Sequence, residues 1–339
     1  MDWNTISAVL AGVLTVFTLQ ATLRFTTPIA LAAMTGIWCE RSGIINIGIE
    51  GQMLFAACTS YMALIYWFQI SQDKAQALIV GTIAGLLTSF IITYGFAIVA
   101  IKFKTDQIIA GTVVNILAIG TTGYLYRSYL AVDAPISPGT YPPTGEVLAG
   151  IPLIGPLLGG IWNAIAQIPI VGQVFFQQQP IVVMMLILVV LTHYLLFFTP
   201  WGLRTRAVGE HPRAADTAGI NVNRMRYADV LVASLIAGLG GIWFSLETVG
   251  VFNPNMTNGI GFIGLAAMIF GKWTPFGALG AALLFAVAEA IQPPLQMYAP
   301  QVPYQFLSMI PYLLTIIVLA GAVGRARPPA AEGKPYEHA

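Results

Sequence analysis

The chain has 339 residues, 57% hydrophobic and 9% charged, with a net charge of +1. A soluble domain carries roughly 25% charged residues, so this chain cannot clothe a water-facing surface. The net charge of +1 by itself says nothing about nucleic acid, and no nucleic-acid partner is expected. Many apolar runs approach the ~20 residues that a bilayer-crossing helix needs, without the short alternating segments of a membrane barrel. The expected fold class is all-α, a polytopic integral membrane protein of about ten transmembrane helices, some short or broken, forming one domain over residues 1–339.

In chain order, spans are predicted at 5–23, 26–40, 45–68, 76–100, 107–130, 180–198, 228–247, 258–271, 276–292 and 304–322. The start, MDWNTISAVL, has no basic region, so the first helix is expected to stay uncleaved. The runs 26–40 and 258–271 fall short of a full crossing. Cys39 and Cys58 lie inside apolar runs and are expected as small buried hydrophobes. With the N-terminus inside, Arg41, Lys102, Lys104, Arg204, Arg206, Arg213, Arg224, Arg226, Lys272, Arg325, Arg327 and Lys334 share one side. Arg24, Lys74 and Arg127 take the other, so the first side is expected to be cytoplasmic, with both termini.

Two connections are long. Residues 131–179 are expected outside the membrane, rich in Pro and Gly yet apolar, as a lid on helix ends or a docking surface for an external partner. Residues 199–227 are expected in the cytoplasm, as are 323–339. In the 199–227 loop Pro212 suits a first helical turn and Gly219 a position just past a helix end, so RAADTA reads as a short punctuated helix. It is either part of a solvated basic loop or a docking helix for a cytoplasmic protein.

The stretch ERSGIINIGIEGQM, Glu40 to Met53, threads polar residues through isoleucines and glycines between two greasy runs. It is either a cytoplasmic turn or a break at membrane depth, which is tolerated only against protein or a water-filled cavity. Asn46 and Glu50 are expected to be buried and paired, because polar groups in hydrocarbon are costly alone. GIINIG at 43–48 and GIGFIG at 259–264 share a pattern, and paired glycine-interrupted segments point to a substrate pathway.

Other candidates are weighed singly. Glu289, with Gln292 on its helical face, and Glu247 line a pore or serve as helix-end charges. Asp229 is expected to start a helix, where the dipole accounts for it. Asn115 and Thr112 suit interhelical hydrogen bonding or substrate contact. Phe252, Asn253, Asn255 and Asn258 in VFNPNMTNG could hold a neutral polar solute or form a plain turn. His193 is expected as a satisfied membrane histidine. No protease or hydrolase signature, Cys/His cluster or Walker loop is present, since FGKW at 270–273 has Ala266 and Trp273 at the decisive positions.

ERSGIINIGIEGQMLFAA resembles the signature of ABC-importer permeases of the branched-chain amino acid/simple sugar group, and most closely its simple sugar and nucleoside branch. RAVGEHPRAADTAGINV at 206–222 resembles that family's coupling segment, and the block 238–285 its C-terminal region. TPIALAAMTGIWCE fits as well, while the loop 131–179 is longer than the family leads one to expect. The resemblance implies a non-enzymatic permease subunit in a bacterial inner membrane, paired with a second homologous permease. It implies an extracytoplasmic solute-binding lipoprotein and a cytoplasmic ATPase that uses ATP and magnesium, this chain binding no cofactor. It places ATPase coupling at Arg206, Gly209, Glu210, Pro212, Ala214, Ala215 and Gly219. The candidate path is Asn46, Glu50, Asn115, Glu247, Phe252, Asn253, Asn258 and Glu289, for a neutral solute such as a nucleoside or purine, or else a simple sugar. The rival of another class is an ion-coupled secondary transporter, for which Glu50 and Glu289 are the available ionisable groups.

Overall fold

The structure, a computed structural model, describes residues 15–131, 136–152, 154–298 and 326–337, with 303, 305, 306, 309 and 313 between them. Every element among these residues is helical. The first, α1 (Val16–Arg41), is capped by the Thr15 hydroxyl. It runs through the boundary expected near Arg24, so the predicted spans 5–23 and 26–40 are not separate there. The reason is local: the hydroxyls of Thr22, Thr26, Thr27 and Thr35 each bond the carbonyl four residues back, so polar side chains ride inside a continuous buried helix. Residues 1–14 and nearly all of the predicted span 304–322 lie outside the described residues.

Among the described residues six helices, α1 not among them, are long and apolar enough to cross a membrane, three of them continuing into a wider π turn at the C-terminal end. They are α2 (Ile49–Ser71), α3 (Lys74–Ala97, extended to Lys102), α4 (Gln107–Leu125, extended to Leu130), α7 (Pro180–Phe198), α10 (Val222–Ile242, extended to Val249) and α12 (Pro275–Tyr298). The chain is therefore a multi-pass membrane protein. Helix α12 continues past the predicted end at 292, because Pro293 and Pro294 have helical φ and remove only the bonds to the carbonyls of Glu289 and Ala290. Helix α11 (Ile260–Phe270) has 11 residues, about 16 Å, roughly half of a bilayer's hydrocarbon thickness.

Helices α1 and α10 form the centre. α1 packs on α7, α10, α11 and α12, and α10 also packs on α2 and α3. Every residue of α1 from Thr26 to Glu40 is buried. Helix α4 lies on the flank, held mainly by α2. Arg41, Lys104, Arg206 and Arg226 gather at one end of the bundle, called here the basic end, through contacts with one another's neighbours. At the far end α5 (Thr144–Ala149), α6 (Gly155–Ala166) and a π turn at Gly172–Phe176 lie over the helix ends. There Gln20 and Arg24 of α1 bond Gln173 and Gln178, and Tyr141 bonds the Leu78 and Leu246 carbonyls.

Candidate functional site

Between α1 and α2 the chain abandons helix from Ser42 to Gly48 while remaining packed in protein. Gly43 turns at φ +89, which an L side chain rarely adopts. Here groups freed from helix find other partners. The Ser42 carbonyl accepts from Arg226 Nε at 3.1 Å. The Ile45 amide donates to Gln107 Oε1 at 2.7 Å. Asn115 bridges the break to α2: its Nδ2 donates to the Ile47 carbonyl at 3.1 Å, and its Oδ1 accepts from the Gly51 amide at 2.8 Å. Asn46 is fully buried and pairs doubly with Gln52, both bonds at 3.2 Å. This pairing within one chain satisfies two amides that water cannot reach.

Glu50 opens α2 and points at the start of α11. Its Oε1 accepts from Thr257 Oγ1 at 2.6 Å and the Gly259 amide at 2.8 Å, and its Oε2 from the Gly261 amide at 2.7 Å. A carboxylate at a helix N-terminus meets free amides and the positive end of the dipole. Glu50, two residues past GIINIG, thereby holds GIGFIG at its Gly259 and Gly261 amides. Glu247, in the π turn after α10, does the same for α7, accepting from the Ile181 amide at 2.6 Å and the Val182 amide at 3.2 Å.

Residues 250–259 carry the chain without helix from the far end, where Ser137 bonds the Gly250 carbonyl, to Glu50. Phe252 is buried against the Tyr126 ring at 6.2 Å. Asn253, Asn255 and Asn258 are exposed, and Asn255 and Asn258 hold φ +56 and +43, which asparagine tolerates better than most residues. Glu289 lies elsewhere, half-buried on α12, accepting from Gln292 Nε2 at 3.2 Å. Thus Asn46, Glu50, Asn115 and Asn258 belong to one neighbourhood around the break and its cap, Phe252 packs on Tyr126 past the end of α4, and Glu247 caps a different helix.

The coupling-segment residues lie at the basic end on α8 (Pro200–Glu210) and α9 (Pro212–Thr217). Pro212 opens α9, Ala214 is exposed on it and Ala215 is buried. Gly219 follows at φ +82. Arg206 stacks over the Phe197 ring at 5.1 Å. Gly209 is pressed on the Arg41 carbonyl, where any Cβ would collide. Glu210 is exposed, its Oε2 accepting from the Ala330 amide at 3.2 Å.

Two expectations change. Helix α10 begins at an Asn221 cap, so Asp229 sits two turns inside it and is fully buried. It accepts from Trp201 Nε1 at 2.8 Å and Thr205 Oγ1 at 3.1 Å, and holds α8 rather than a helix dipole. The His193 ring stands among Phe197, Phe198 and Phe276, with its buried Nδ1 lacking a hydrogen-bond partner. Cys39 and Cys58 are free and buried. Sequence reasoning overlooked Gln52, Gln107, Thr257 and Arg226. For the first three the only cue was a polar residue inside or beside an apolar run. Arg226 was read as an ordinary loop charge, although it is fully buried.

A family model described as "Branched-chain amino acid transport system / permease component" matches residues 18–319. The guanosine ABC transporter permease protein NupQ of Bacillus subtilis is 38% identical over 322 residues, which cover 93% of this chain and 95% of that protein. The nucleoside ABC transporter permease protein NupC of Lactococcus lactis is 33% identical, over 93% of this chain and 94% of its own length. The guanosine ABC transporter permease protein NupP of B. subtilis is also similar, at 24% identity over 88% of this chain and 79% of its own. No solved structure matches. By the family match and by its likeness to these relatives, the chain belongs to the branched-chain amino acid transport system permease component family.

Proposed function

We propose that this chain is one permease subunit of an ATP-driven importer of nucleosides, working with a second, related permease. The observation that carries the path is the meeting of two non-helical stretches, 42–48 and 250–259, at the start of the half-length helix α11. Backbone of this kind at membrane depth is kept against protein or a water-filled cavity, and half-helix N-termini are a recurring element of transporter binding sites. Glu50 already occupies the α11 amides, so the groups left for a solute are neutral: Asn253, Asn255 and Asn258 on the exposed side of the turn. Amide side chains can both donate to and accept from an uncharged solute with polar edges. Two relatives named for nucleoside and guanosine transport support nucleosides as that solute.

In this reading the basic end faces the cytoplasm, as its lysines and arginines favour, and both termini lie there. The ATPase subunit seats on α8 and α9, and its ATP and magnesium supply the energy while this chain binds no cofactor. A solute-binding lipoprotein delivers nucleoside at the far end, onto the helices of the 131–179 connection. Closure of the ATPase pair moves α8 and α9. Gly209 on the Arg41 carbonyl and the buried Asp229 contact pass that displacement to α1 and α10, beside the break. The path then opens alternately to the two sides. The test is uptake of radiolabelled guanosine by cells expressing the whole transporter, with excess ribose or glucose as competitors. Competition by unlabelled nucleosides alone is expected. Loss of guanosine uptake to sugar and not to nucleosides would assign the sugar branch instead.

A further inference from the structure

Residues 326–337 return to the basic end and lie across the coupling segment. The Ala331 amide donates to the Gly209 carbonyl at 2.9 Å, and the Ala330 amide to Glu210 Oε2. Tyr336 donates its hydroxyl to Asp216 Oδ2 at 2.6 Å, and its ring closes an apolar cluster with Val208, Ala215 and Val222. The same segment reaches the break: the Gly333 amide donates to the Gly43 carbonyl at 3.1 Å. Arg226 is buried between the two. Its Nε donates to Ser42 and its Nη1 to the Lys334 carbonyl, each at 3.1 Å, so one guanidinium holds the break and the tail together. At the outer edge Lys104 Nζ meets Glu337 at 3.0 Å.

The segment is thus anchored at four points, to α8, α9, the break and the start of α4. Between it and the turn joining α8 to α9 runs an open groove of about 820 Å³, whose rim carries Glu210, His211 and Arg213 on one side and Lys334 and Glu337 on the other. The groove has an apolar floor of Pro212, Ala214, Ala330 and Pro335, displays both signs of charge at its rim, and is continuous with the segment on which the ATPase is proposed to seat.

We propose that residues 326–337 are a strap that forms the second wall of the ATPase-docking groove and transmits seating of the ATPase to the break through Gly333 and Arg226. This rests on the reading of α8 and α9 as the coupling segment. The occupant is the ATPase subunit, which must grip both walls to move them together, and the rim offers it paired charges of either sign.

The test uses the whole transporter with single-cysteine variants Lys334→Cys and Glu337→Cys in inside-out vesicles. Labelling by a membrane-impermeant maleimide is expected to be at least tenfold slower when the ATPase is co-expressed than when it is left out. Equal rates, or equal protection without the ATPase by lipid headgroups or a second copy, would overturn the proposal. Truncation after residue 325 is expected to keep insertion and the second permease but to lower ATPase recovery and uptake tenfold or more. Tyr336→Phe, which keeps the ring and removes the bond to Asp216, is expected to give a smaller loss in the same direction. Wild-type uptake by the truncated chain would sink the strap. Deletion of 210–219 separates the two ideas. If that deletion also transports normally, the coupling reading fails and takes the strap with it. If it abolishes uptake while the strap cysteines are unprotected, the strap alone fails.

Discussion

Glu50 and Glu247 are charged residues in a chain with few of them, and each is occupied by the start of another helix. Replacing Glu50 by Ala leaves the Thr257 hydroxyl and two amides without their acceptor in a buried site, a loss on the order of 3 kcal/mol. The expected outcome is a transporter that unfolds at lower temperature in detergent. Glu50→Gln, which keeps one accepting oxygen, should fall between the two, and a wild-type melting temperature for the alanine variant would refute the capping role. Asn258 allows a cleaner separation of backbone from side chain, because its φ of +43 suits Gly as well as Asn. Asn258→Gly should leave stability within ~0.5 kcal/mol and lower guanosine uptake several-fold, whereas unchanged uptake would remove this side chain from the path. At this scale the sequence told that Asn46 and Glu50 are paired, since an apolar chain cannot bury them otherwise. It could not tell with what: their partners Gln52 and Thr257 are near in space and, for Thr257, more than 200 residues away.

Elements show which local signals survive packing. Pro212 and Gly219 punctuated α9 legibly, since both act through their own backbone. The break at 42–48 was left open between turn and interruption, because its Ile45 amide is satisfied by Gln107 and its Ile47 and Ser42 carbonyls by Asn115 and Arg226, all from distant helices. The close approach of α4 to the break is set by Gly111, where an added Cβ would stand 2.8 Å from the Gly48 amide nitrogen. Gly111→Val should therefore push α4 away and lower transport tenfold or more with insertion intact, measured by uptake against surface-normalised expression. For α8, Gly209→Pro or deletion of 210–219 should abolish transport without preventing insertion. The strap adds a pH dependence. Burial pushes the Glu332 carboxyl above the ordinary carboxylate range, with the hydrogen bond to Glu40 opposing. A carboxyl raised on docking favours the docked state while protonated, so docking is full at low pH and weakens as pH rises through the raised value. Maleimide labelling of Lys334→Cys without ATPase, normalised at each pH to the rate of a free peptide thiol, should accelerate as pH rises above the ordinary carboxylate range, and Glu332→Gln should flatten that rise.

The whole molecule is organised around α1 and α10, whose buried faces were legible only as hydrophobicity without period. That is why spans could be predicted from the sequence while their neighbours could not. The apparent division of α1 near Arg24 arose from threonines and Pro28, which look like a loop in one dimension and are satisfied within the helix in three. At this scale the energy source is the issue. Uptake should persist when an uncoupler collapses the ion gradients and ATP is maintained. Its collapse under those conditions would point to ion coupling and to Glu289, the one candidate carboxylate on α12. The most direct measurement concerns the path itself. Asn258→Cys, in a chain whose Cys39 and Cys58 are buried, should react with a water-soluble maleimide in native membranes. Its rate should change at least fivefold between nucleotide-free and ATP-trapped ATPase, and guanosine should protect it. A cysteine there that is as inert as the buried pair, in every nucleotide state, would contradict a solute path at the junction of the break and α11.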